Sequence, residues 1–151
     1  MNKITDQLYV TDIQTVRERP LGEINHVVTV CQDSVEDNIP GDVTYDYFCM
    51  ADGVESGQVP GDASFEMFEK AADRVVAGLT VGNKVLVHCH AGVSRSVAVA
   101  TAALAVTEDL TTEEALQRVR LARPIADPHD MLWLHADRYV ELYGVDPYIH
   151  A

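Results

Sequence analysis

Long apolar runs are absent from this chain of 151 residues. A membrane-spanning helix needs roughly 18 or more consecutive apolar residues, and the longest candidate here, from Ser96 to Thr107, is too short. The N-terminal residues from Met1 to Gln7 also lack the apolar run of a signal peptide. We therefore expect neither a membrane span nor a membrane partner.

Cysteine is scarce as well. Cys31, Cys49 and Cys89 are too few, and odd in number, for a disulfide framework. A reducing cytoplasm is the simplest interpretation of this usage. Cys31 and Cys49 fall on predicted strands and are interpreted as small buried apolar side chains. The alternative, that one of them forms a disulfide with Cys89 on oxidation, stays open.

Positive charge is in short supply. The chain has 11 Lys plus Arg against 24 Asp plus Glu, which gives a formal net charge of −13. Because nucleic-acid binding requires a basic face, this balance argues against a nucleic-acid partner. Low lysine with many carboxylates is typical of salt-adapted proteins, and ordinary acidic solubility explains the balance equally well.

The length and the hydrophobic share of 47% predict one folded domain. We place it at residues 1–145, followed by a short tail at 146–151. Hydrophobic patterning predicts strands at 8–10, 24–31, 43–50 and 84–88, and helices at 64–79, 97–106, 111–122 and about 129–143. This order predicts an α/β three-layer sandwich, with a central, mostly parallel sheet of about four to five strands flanked by helices.

Two details support the helix boundaries. Thr111 and Glu114 have the spacing of a capping box, so a helix should begin there. Gly144 follows the last apolar residues and is a natural C-cap.

One segment carries the chemistry. The residues from His88 to Ser96, here called the Cys89 loop, have the sequence HCHAGVSRS. They lie where an apolar strand is predicted to pass into a buried helix, and backbone N–H groups at a helix N-terminus bind anions. Gly92 permits a tight turn, and Arg95 offers planar donors for two phosphate oxygens. The helix dipole, these amides and Arg95 should favour the thiolate of Cys89, which would face a bound phosphate as a nucleophile.

The Cys89 loop resembles the phosphate-binding loop of the cysteine-dependent protein tyrosine phosphatases, and its AGVSRS run resembles the dual-specificity branch. The resemblance extends over about residues 4–143. It implies a dual-specificity phosphatase-like fold and a two-step reaction through a phosphocysteine, without a metal or other cofactor. It implies that Cys89 is the nucleophile, Arg95 binds phosphate, Ser96 helps the thiol leave, and His88 holds the loop and favours the thiolate. The backbone amides of His90, Ala91, Gly92, Val93, Ser94 and Arg95 would bind phosphate.

The resemblance also requires a general acid, an Asp on a loop after an earlier strand. Asp52 has that place, directly after the strand predicted at 43–50. The alternative is that Asp52 and Gly53 are only a turn pair. Glu55, Asp33 and Asp62 are the other candidates for the acid.

Two departures from the family pattern bear on function. Near the position of His129 the family often has an Asn that braces the loop, and we expect His129 to donate a similar hydrogen bond. The variable loop positions, His90, Ala91 and Val93, include no lysine. Phosphoinositide phosphatases of the superfamily usually carry basic residues there, so phosphoprotein substrates are favoured.

The sequence therefore predicts a phosphatase acting on phosphotyrosine and on phosphoserine or phosphothreonine in proteins. The alternatives are a phosphoprotein-binding module without turnover, and a small-molecule phosphatase or arsenate reductase with the same loop. Arsenate reduction would need a resolving thiol, Cys31 or Cys49. A metal site at His88, Cys89 and His90 is disfavoured because such closely spaced ligands suit tetrahedral zinc poorly.

Overall fold

The computed structural model describes residues 1–52 and 62–144. Within them, strands form one sheet in the order β1-β2-β5-β3-β4. β1 is antiparallel to β2, and the other neighbours are parallel. The strands are β1 (Asn2–Lys3), β2 (Leu8–Thr11), β3 (His26–Val30), β4 (Thr44–Phe48) and β5 (Val85–His88). This mostly parallel five-stranded sheet confirms the predicted fold class.

The helices cover the two faces of the sheet unequally. They are α1 (Ile13–Glu18), α2 (Phe65–Thr80), α3 (Arg95–Glu108), α4 (Thr112–Ala122) and α5 (Asp130–Tyr143), with a short 3₁₀ helix at Glu36–Asn38. The larger core cluster joins α2, α3, α4 and α5 to one face of the sheet. A smaller cluster, which includes Val16 of α1, covers the opposite face.

The central strands are apolar on both faces. In β5, Val85 and Val87 belong to the larger core cluster, whereas Leu86 belongs to the smaller one. Every residue of β3 and β5 is buried. Continuous apolar runs of this kind are typical of parallel strands that are covered on both sides.

The four long helices were predicted, and their ends follow local signals. α3 is buried almost all round, as its uninterrupted apolar sequence indicates. Thr111 caps α4, and the reciprocal contact of Glu114 completes the predicted capping box. Gly144 caps α5 with extended rather than left-handed backbone, so this helix does not end in the usual glycine conformation.

Three short elements were not predicted: β1, α1 and the 3₁₀ helix. α1 has six residues, and the carboxylate of Asp12 caps it by accepting from the N–H of Thr15. Elements this short have too few residues to show a period. The predicted strands 24–31 and 43–50 were also too long, because the ladder ends at Val30 and Phe48.

The site lies at the carboxyl edge of the sheet. β5 is the middle strand, with parallel neighbours β2 and β3 on either side. Ligands of open α/β sheets bind outside the carboxyl ends of such strands. Cys31, Cys49 and Cys89 each lie one residue beyond a strand end, so the predicted placement of Cys31 and Cys49 on strands was wrong.

Residues 1–52 and 62–144 contain neither a candidate membrane span nor a candidate metal cluster. None of these helices has both the length and the apolar character of a bilayer-spanning segment. No group of three or more His, Cys, Asp or Glu side chains in this part of the chain is arranged to hold a metal ion. The predicted tail at 146–151 and its boundary at 145 lie outside the described residues.

Candidate active site

The Cys89 loop joins the end of β5 to the start of α3. Gly92 adopts a φ of +68°, a conformation that L side chains rarely adopt. A Cβ atom at Gly92 would also lie 2.7 Å from the carbonyl oxygen of Thr11 and 2.8 Å from Arg123. Glycine is therefore required at this position for both its backbone conformation and its size.

The sulfur of Cys89 lies inside this turn. The backbone N–H of Gly92 donates to Sγ at 3.3 Å, and the hydroxyl of Ser96 lies 3.2 Å from Sγ. Cys89 is almost fully buried, with 2% of its surface exposed. Both the Gly92 N–H and the Ser96 hydroxyl can donate a hydrogen bond to this sulfur.

Arg95 is the first residue of α3, and its guanidinium is held in place by three acceptors. Nη1 donates to the side-chain oxygen of Gln32 at 2.5 Å and to the carbonyl of Met50 at 3.0 Å. Nη2 lies 3.1 Å from Nδ1 of His90. Since a guanidinium has five N–H donors, Nε–H and one hydrogen of Nη2 keep no partner among the described residues. These donors can bind an oxyanion as a fork.

His88 anchors the loop through a buried chain of hydrogen bonds. Its Nδ1 lies 3.2 Å from the carbonyl oxygen of Cys89, which can only accept, so Nδ1 carries the proton. Nε2 therefore accepts from the hydroxyl of Thr29 at 2.6 Å. Thr29 in turn accepts from Tyr45 at 2.8 Å, and the Tyr45 oxygen accepts from the N–H of Val35 at 3.0 Å.

Burial determines the charge of the His88 ring. Burial lowers the pKa of His88 to about 4, so the ring is neutral near pH 7. The expected influence of His88 on the Cys89 thiolate is therefore not that of a nearby cation. The contact that the neutral ring makes with the loop is its hydrogen bond to the Cys89 carbonyl. Sequence reasoning missed Thr29 and Tyr45, although Thr29 is the one hydroxyl residue within the buried strand β3.

Arg123 also holds the loop, and sequence reasoning missed it in this role. Its Nε donates to the carbonyl of Gly92 at 2.6 Å, and its Nη2 donates to the carbonyl of Ala91 at 2.9 Å. Nη1 donates to the side chain of Asn2, and Asp12 lies 3.6 Å from Nη2. Because these loop carbonyls point outward to Arg123, the amides that follow them are turned toward the inside of the loop.

A brace from the α4–α5 connection holds the other side of the loop. The N–H of Asp127 donates to the carbonyl of Val93 at 2.8 Å, and the N–H of His129 donates to the Ser94 hydroxyl at 2.8 Å. The expected hydrogen bond from His129 therefore comes from its backbone. Its ring instead accepts from the N–H of Met131 and caps α5, so the expectation of a side-chain donor was wrong.

A cavity of about 370 Å³ opens above Cys89. Asp52 lines this cavity, and its Oδ1 is buried with no hydrogen-bond partner among the described residues. A carboxyl oxygen with no partner in the described part of the chain thus lies in the lining of the cavity that also contains Cys89. The other lining residues are Ala91, Val93, Ser94, Arg95, Asp127, Pro128, His129 and Asp130. Of the predicted phosphate-binding residues, His90 and Gly92 do not line the cavity.

The other candidate acids are placed less favourably. The carboxylate of Asp33 is 59% exposed and pairs with Nε2 of His90 at 2.7 Å. Asp62 accepts from Ser64, and hydrogen bonds from the Ser64 side chain and backbone lower the pKa of the Asp62 carboxyl, which disfavours a proton donor. Neither lines the cavity. Glu55 lies outside the described residues.

The remaining cysteines are free thiols. Cys31 is fully buried in the same apolar cluster as Cys89, and burial raises the pKa of the Cys31 thiol. Cys49 is half-buried. A raised pKa lowers the thiolate fraction of Cys31, which agrees with a packing role. Whether either thiol pairs with Cys89 on oxidation stays a prediction.

Comparison with known proteins agrees with this geometry. Residues 10–136 match the family model "Dual specificity phosphatase, catalytic domain". The chain is 33% identical to Dual specificity protein phosphatase 1 of Arabidopsis thaliana over 70% of its own length, and it spans 50% of that relative. This chain thus belongs to the dual specificity phosphatase family, whose catalytic domains are cysteine-dependent protein phosphatases.

Two solved structures show the same fold. Human DUSP28 superposes with a TM-score of 0.76 at 23% identity, covering 94% of this chain and 96% of that one. The human tyrosine phosphatase-like serine/threonine/tyrosine-interacting protein superposes with a TM-score of 0.75 at 23% identity, covering 95% and 97%. The family, the fold and the class of enzyme predicted from the sequence are confirmed.

Proposed function

We propose that this chain dephosphorylates phosphotyrosine, and also phosphoserine and phosphothreonine, in proteins through a phosphocysteine on Cys89. One observation carries the proposal: the Cys89 sulfur, Arg95 and the unpartnered carboxyl oxygen of Asp52 line the same cavity. A nucleophile, an anion ligand and a proton donor are the three groups that ester hydrolysis by this route requires.

In the first step, the Cys89 thiolate attacks phosphorus and a sulfur–phosphorus bond forms. The bond from phosphorus to the ester oxygen breaks, and that oxygen takes the proton of Asp52. The free Nε–H and Nη2 hydrogen of Arg95 bind two phosphoryl oxygens, and inward loop amides stabilise the charge that spreads over them.

In the second step, water attacks the phosphocysteine. Asp52, now ionised, takes a proton from that water, and inorganic phosphate leaves as the sulfur–phosphorus bond breaks. The departing sulfur regains its contacts with the Gly92 N–H and the Ser96 hydroxyl, at 3.3 and 3.2 Å in the free protein. Ser96 therefore acts by stabilising the thiolate as a leaving group.

The charge around the cavity favours protein substrates over phosphoinositides. Besides Asp52, the exposed Asp127 and Asp130 line the cavity, and no lysine is among the lining residues. A headgroup with several phosphates would bring additional negative charge against these carboxylates. A phosphorylated side chain brings one phosphate to Cys89 and Arg95.

A binding module without turnover is the second candidate, since one structural neighbour is named as an interacting protein. The presence of Cys89, Arg95 and Asp52 around one cavity, with the Ser96 hydroxyl 3.2 Å from the Cys89 sulfur, favours catalysis instead. Arsenate reduction by the same loop would need a resolving thiol. The double variant Cys31→Ser, Cys49→Ser would abolish that activity and leave phosphatase turnover within about twofold.

The test compares two substrates that differ in the basicity of their leaving group. Cys89→Ser should abolish release of phosphate from both. Asp52→Asn should lower kcat about 100-fold for a phosphotyrosine peptide, and far less for an aryl phosphate with an acidic phenol, because an acidic leaving group needs no proton. Asp62→Asn is the matched control, since Asp62 lies outside the cavity.

Each alternative gives a different result. If wild type binds a phosphopeptide without releasing phosphate, the chain is a binding module and the proposal is wrong. If Asp62→Asn reproduces the substrate-dependent loss and Asp52→Asn does not, Asp62 is the acid. If the effect of Asp52→Asn is equal for both substrates, Asp52 does not donate the proton.

A further inference from the structure

The side chain of His90 lies between an acidic residue and the anion-binding arginine. Its Nε2 is 2.7 Å from Oδ2 of Asp33, and its Nδ1 is 3.1 Å from Nη2 of Arg95. His90 does not line the cavity. Its ring therefore faces the guanidinium from outside the substrate site.

The two contacts define the tautomer of His90. The guanidinium of Arg95 can only donate, so Nδ1 must be the unprotonated acceptor. The ionised carboxylate of Asp33 can only accept, so Nε2 must carry the proton. Asp33 thus keeps the acceptor of the ring directed at Arg95, in the way that a carboxylate orients a histidine in many catalytic and metal sites.

The contact with His90 also influences which donors of Arg95 stay available. Gln32 and Met50 occupy the hydrogens of Nη1, and His90 occupies one hydrogen of Nη2. The guanidinium plane is then held from three directions. The hydrogen of Nε and the second hydrogen of Nη2 are left for a ligand, and these can bind two oxygens side by side.

We propose that His90, oriented by Asp33, is a positioning residue that holds the guanidinium of Arg95 ready to bind two phosphate oxygens. The proposal rests on the phosphate-binding role given to Arg95 above. It assigns to Asp33 a role in orientation in place of acid catalysis. It also gives the side chain of His90 a role separate from that of its backbone amide.

Three substitutions at His90 separate its two contacts. Asn places an amide oxygen close to the position of Nδ1, so His90→Asn keeps an acceptor for Arg95. Gln places its amide nitrogen close to the position of Nε2, so His90→Gln keeps the donor to Asp33 and loses the acceptor. His90→Leu removes both. Asp33→Ala removes the orienting carboxylate, and Asp37→Ala, at an exposed position of the neighbouring 3₁₀ helix, is its matched control.

The first measurement is calorimetric binding of tungstate, a tetrahedral oxyanion, which does not depend on turnover. His90→Leu and His90→Gln should weaken binding about five- to tenfold, since the lost contact is a hydrogen bond from a charged donor at a partly exposed position. His90→Asn should restore most of the affinity. Asp33→Ala should weaken binding about two- to threefold, and Asp37→Ala should not change it. Thermal unfolding verifies that each variant is folded.

The second measurement is steady-state kinetics with a phosphotyrosine peptide. The His90 variants should raise KM more than they lower kcat, because the proton transfers do not involve His90. Equal tungstate affinity in wild type and His90→Leu would overturn the proposal, as would equal losses in the Asn and Gln variants. Tungstate binding by a wild-type protein that releases no phosphate would refute the proposed function alone.

Discussion

The Nε atom of Arg123 lies 2.6 Å from the carbonyl oxygen of Gly92, across the outer side of the Cys89 loop. Arg123 comes from the end of α4, whereas Gly92 follows β5. This pair therefore joins two distant parts of the chain at the point where the loop must turn its amides inward.

Arg123→Gln should lower kcat/KM about tenfold or more, because the carbonyls of Ala91 and Gly92 lose their donors and the loop amides lose their alignment. Arg123→Lys should restore little, since an ammonium cannot reproduce a planar fork to two carbonyls. Steady-state kinetics with an aryl phosphate provides the measurement. Arg118→Gln, at an exposed position of α4, is the control and should retain full activity. A fully active Arg123→Gln variant would refute the support role.

Gly92→Ala should destabilise the protein by about 2 kcal/mol or more, because it adds a steric contact with Thr11 and Arg123 to the strain of a positive φ. Substitutions at two other glycines separate the effect of the steric contact from the effect of the positive φ. Gly22 has a φ of +61° and open space around it, so Gly22→Ala should cost about 1 kcal/mol. Gly41 has neither constraint, so Gly41→Ala should be neutral or slightly stabilising. Denaturant unfolding measures the loss of stability in each of the three variants. Equal losses in Gly92→Ala and Gly22→Ala would contradict the prediction.

The buried ring of His88 should make folding stability depend on pH. Its pKa of about 4 lies below the ordinary value of 6.5, because burial disfavours the charged ring. The unfolded chain therefore binds more protons between pH 4 and 6.5, and stability rises with pH over that window. The contribution is complete above about pH 6.5, and about 3 kcal/mol is lost as the pH falls to about 4.

Unfolding free energies measured across this window, in wild type and His88→Asn, test the assignment. The variant should lack one proton's share of the slope, about 1.4 kcal/mol per pH unit. Parallel curves for the two proteins would show that His88 is not the group responsible.

The exposed carboxylates of Asp127 and Asp130, which line the cavity, should lower kcat/KM for anionic substrates at low salt. Asp127→Asn with Asp130→Asn should raise kcat/KM for a phosphopeptide with flanking Glu about two- to fivefold, and for one with flanking Arg much less. At about 1 M salt the Debye length falls to about 3 Å, and the difference should vanish. Asp37→Asn with Glu113→Gln removes the same charge from exposed positions outside the cavity and serves as the control.

The net charge of −13 leads to a broader expectation, that activity and stability of wild type rise with salt. Phosphate release and thermal unfolding across a salt series measure both. An activity optimum below about 0.1 M would contradict salt adaptation and leave ordinary acidic solubility as the explanation.

The strongly patterned elements were predictable from the sequence. α3 is apolar over nearly its whole length, and α4 begins at a capping box, so both were recognised from neighbouring residues. β1 and α1 were missed, because β1 depends on pairing with β2 and α1 on its short cap at Asp12. Strand ends were misplaced for the same reason: the ladder depends on a partner strand that local sequence does not reveal.

The candidate site likewise contains residues that the sequence could identify and residues that only the fold brings to it. Cys89, Gly92, Arg95 and Ser96 are neighbours along the chain, and their chemistry could be recognised because one turn between a strand and a helix brings them together. Asp52 was expected near the site because it follows a predicted strand. The structure agrees, since Asp52 lines the cavity. Its role as the acid stays a proposal.

The contacts that orient this loop were decided only by tertiary structure. Arg123 contacts Gly92 from the end of α4. Thr29 of β3 contacts His88, and Tyr45 of β4 contacts Thr29. Asp33 contacts His90 from the turn that follows β3. Hydrogen bonds depend on distances of about 3 Å and on direction, and residues distant in sequence acquire these only when the sheet and helices have packed. Local sequence therefore determined the reactive groups, and packing determined their orientation and, through burial, the charge of His88.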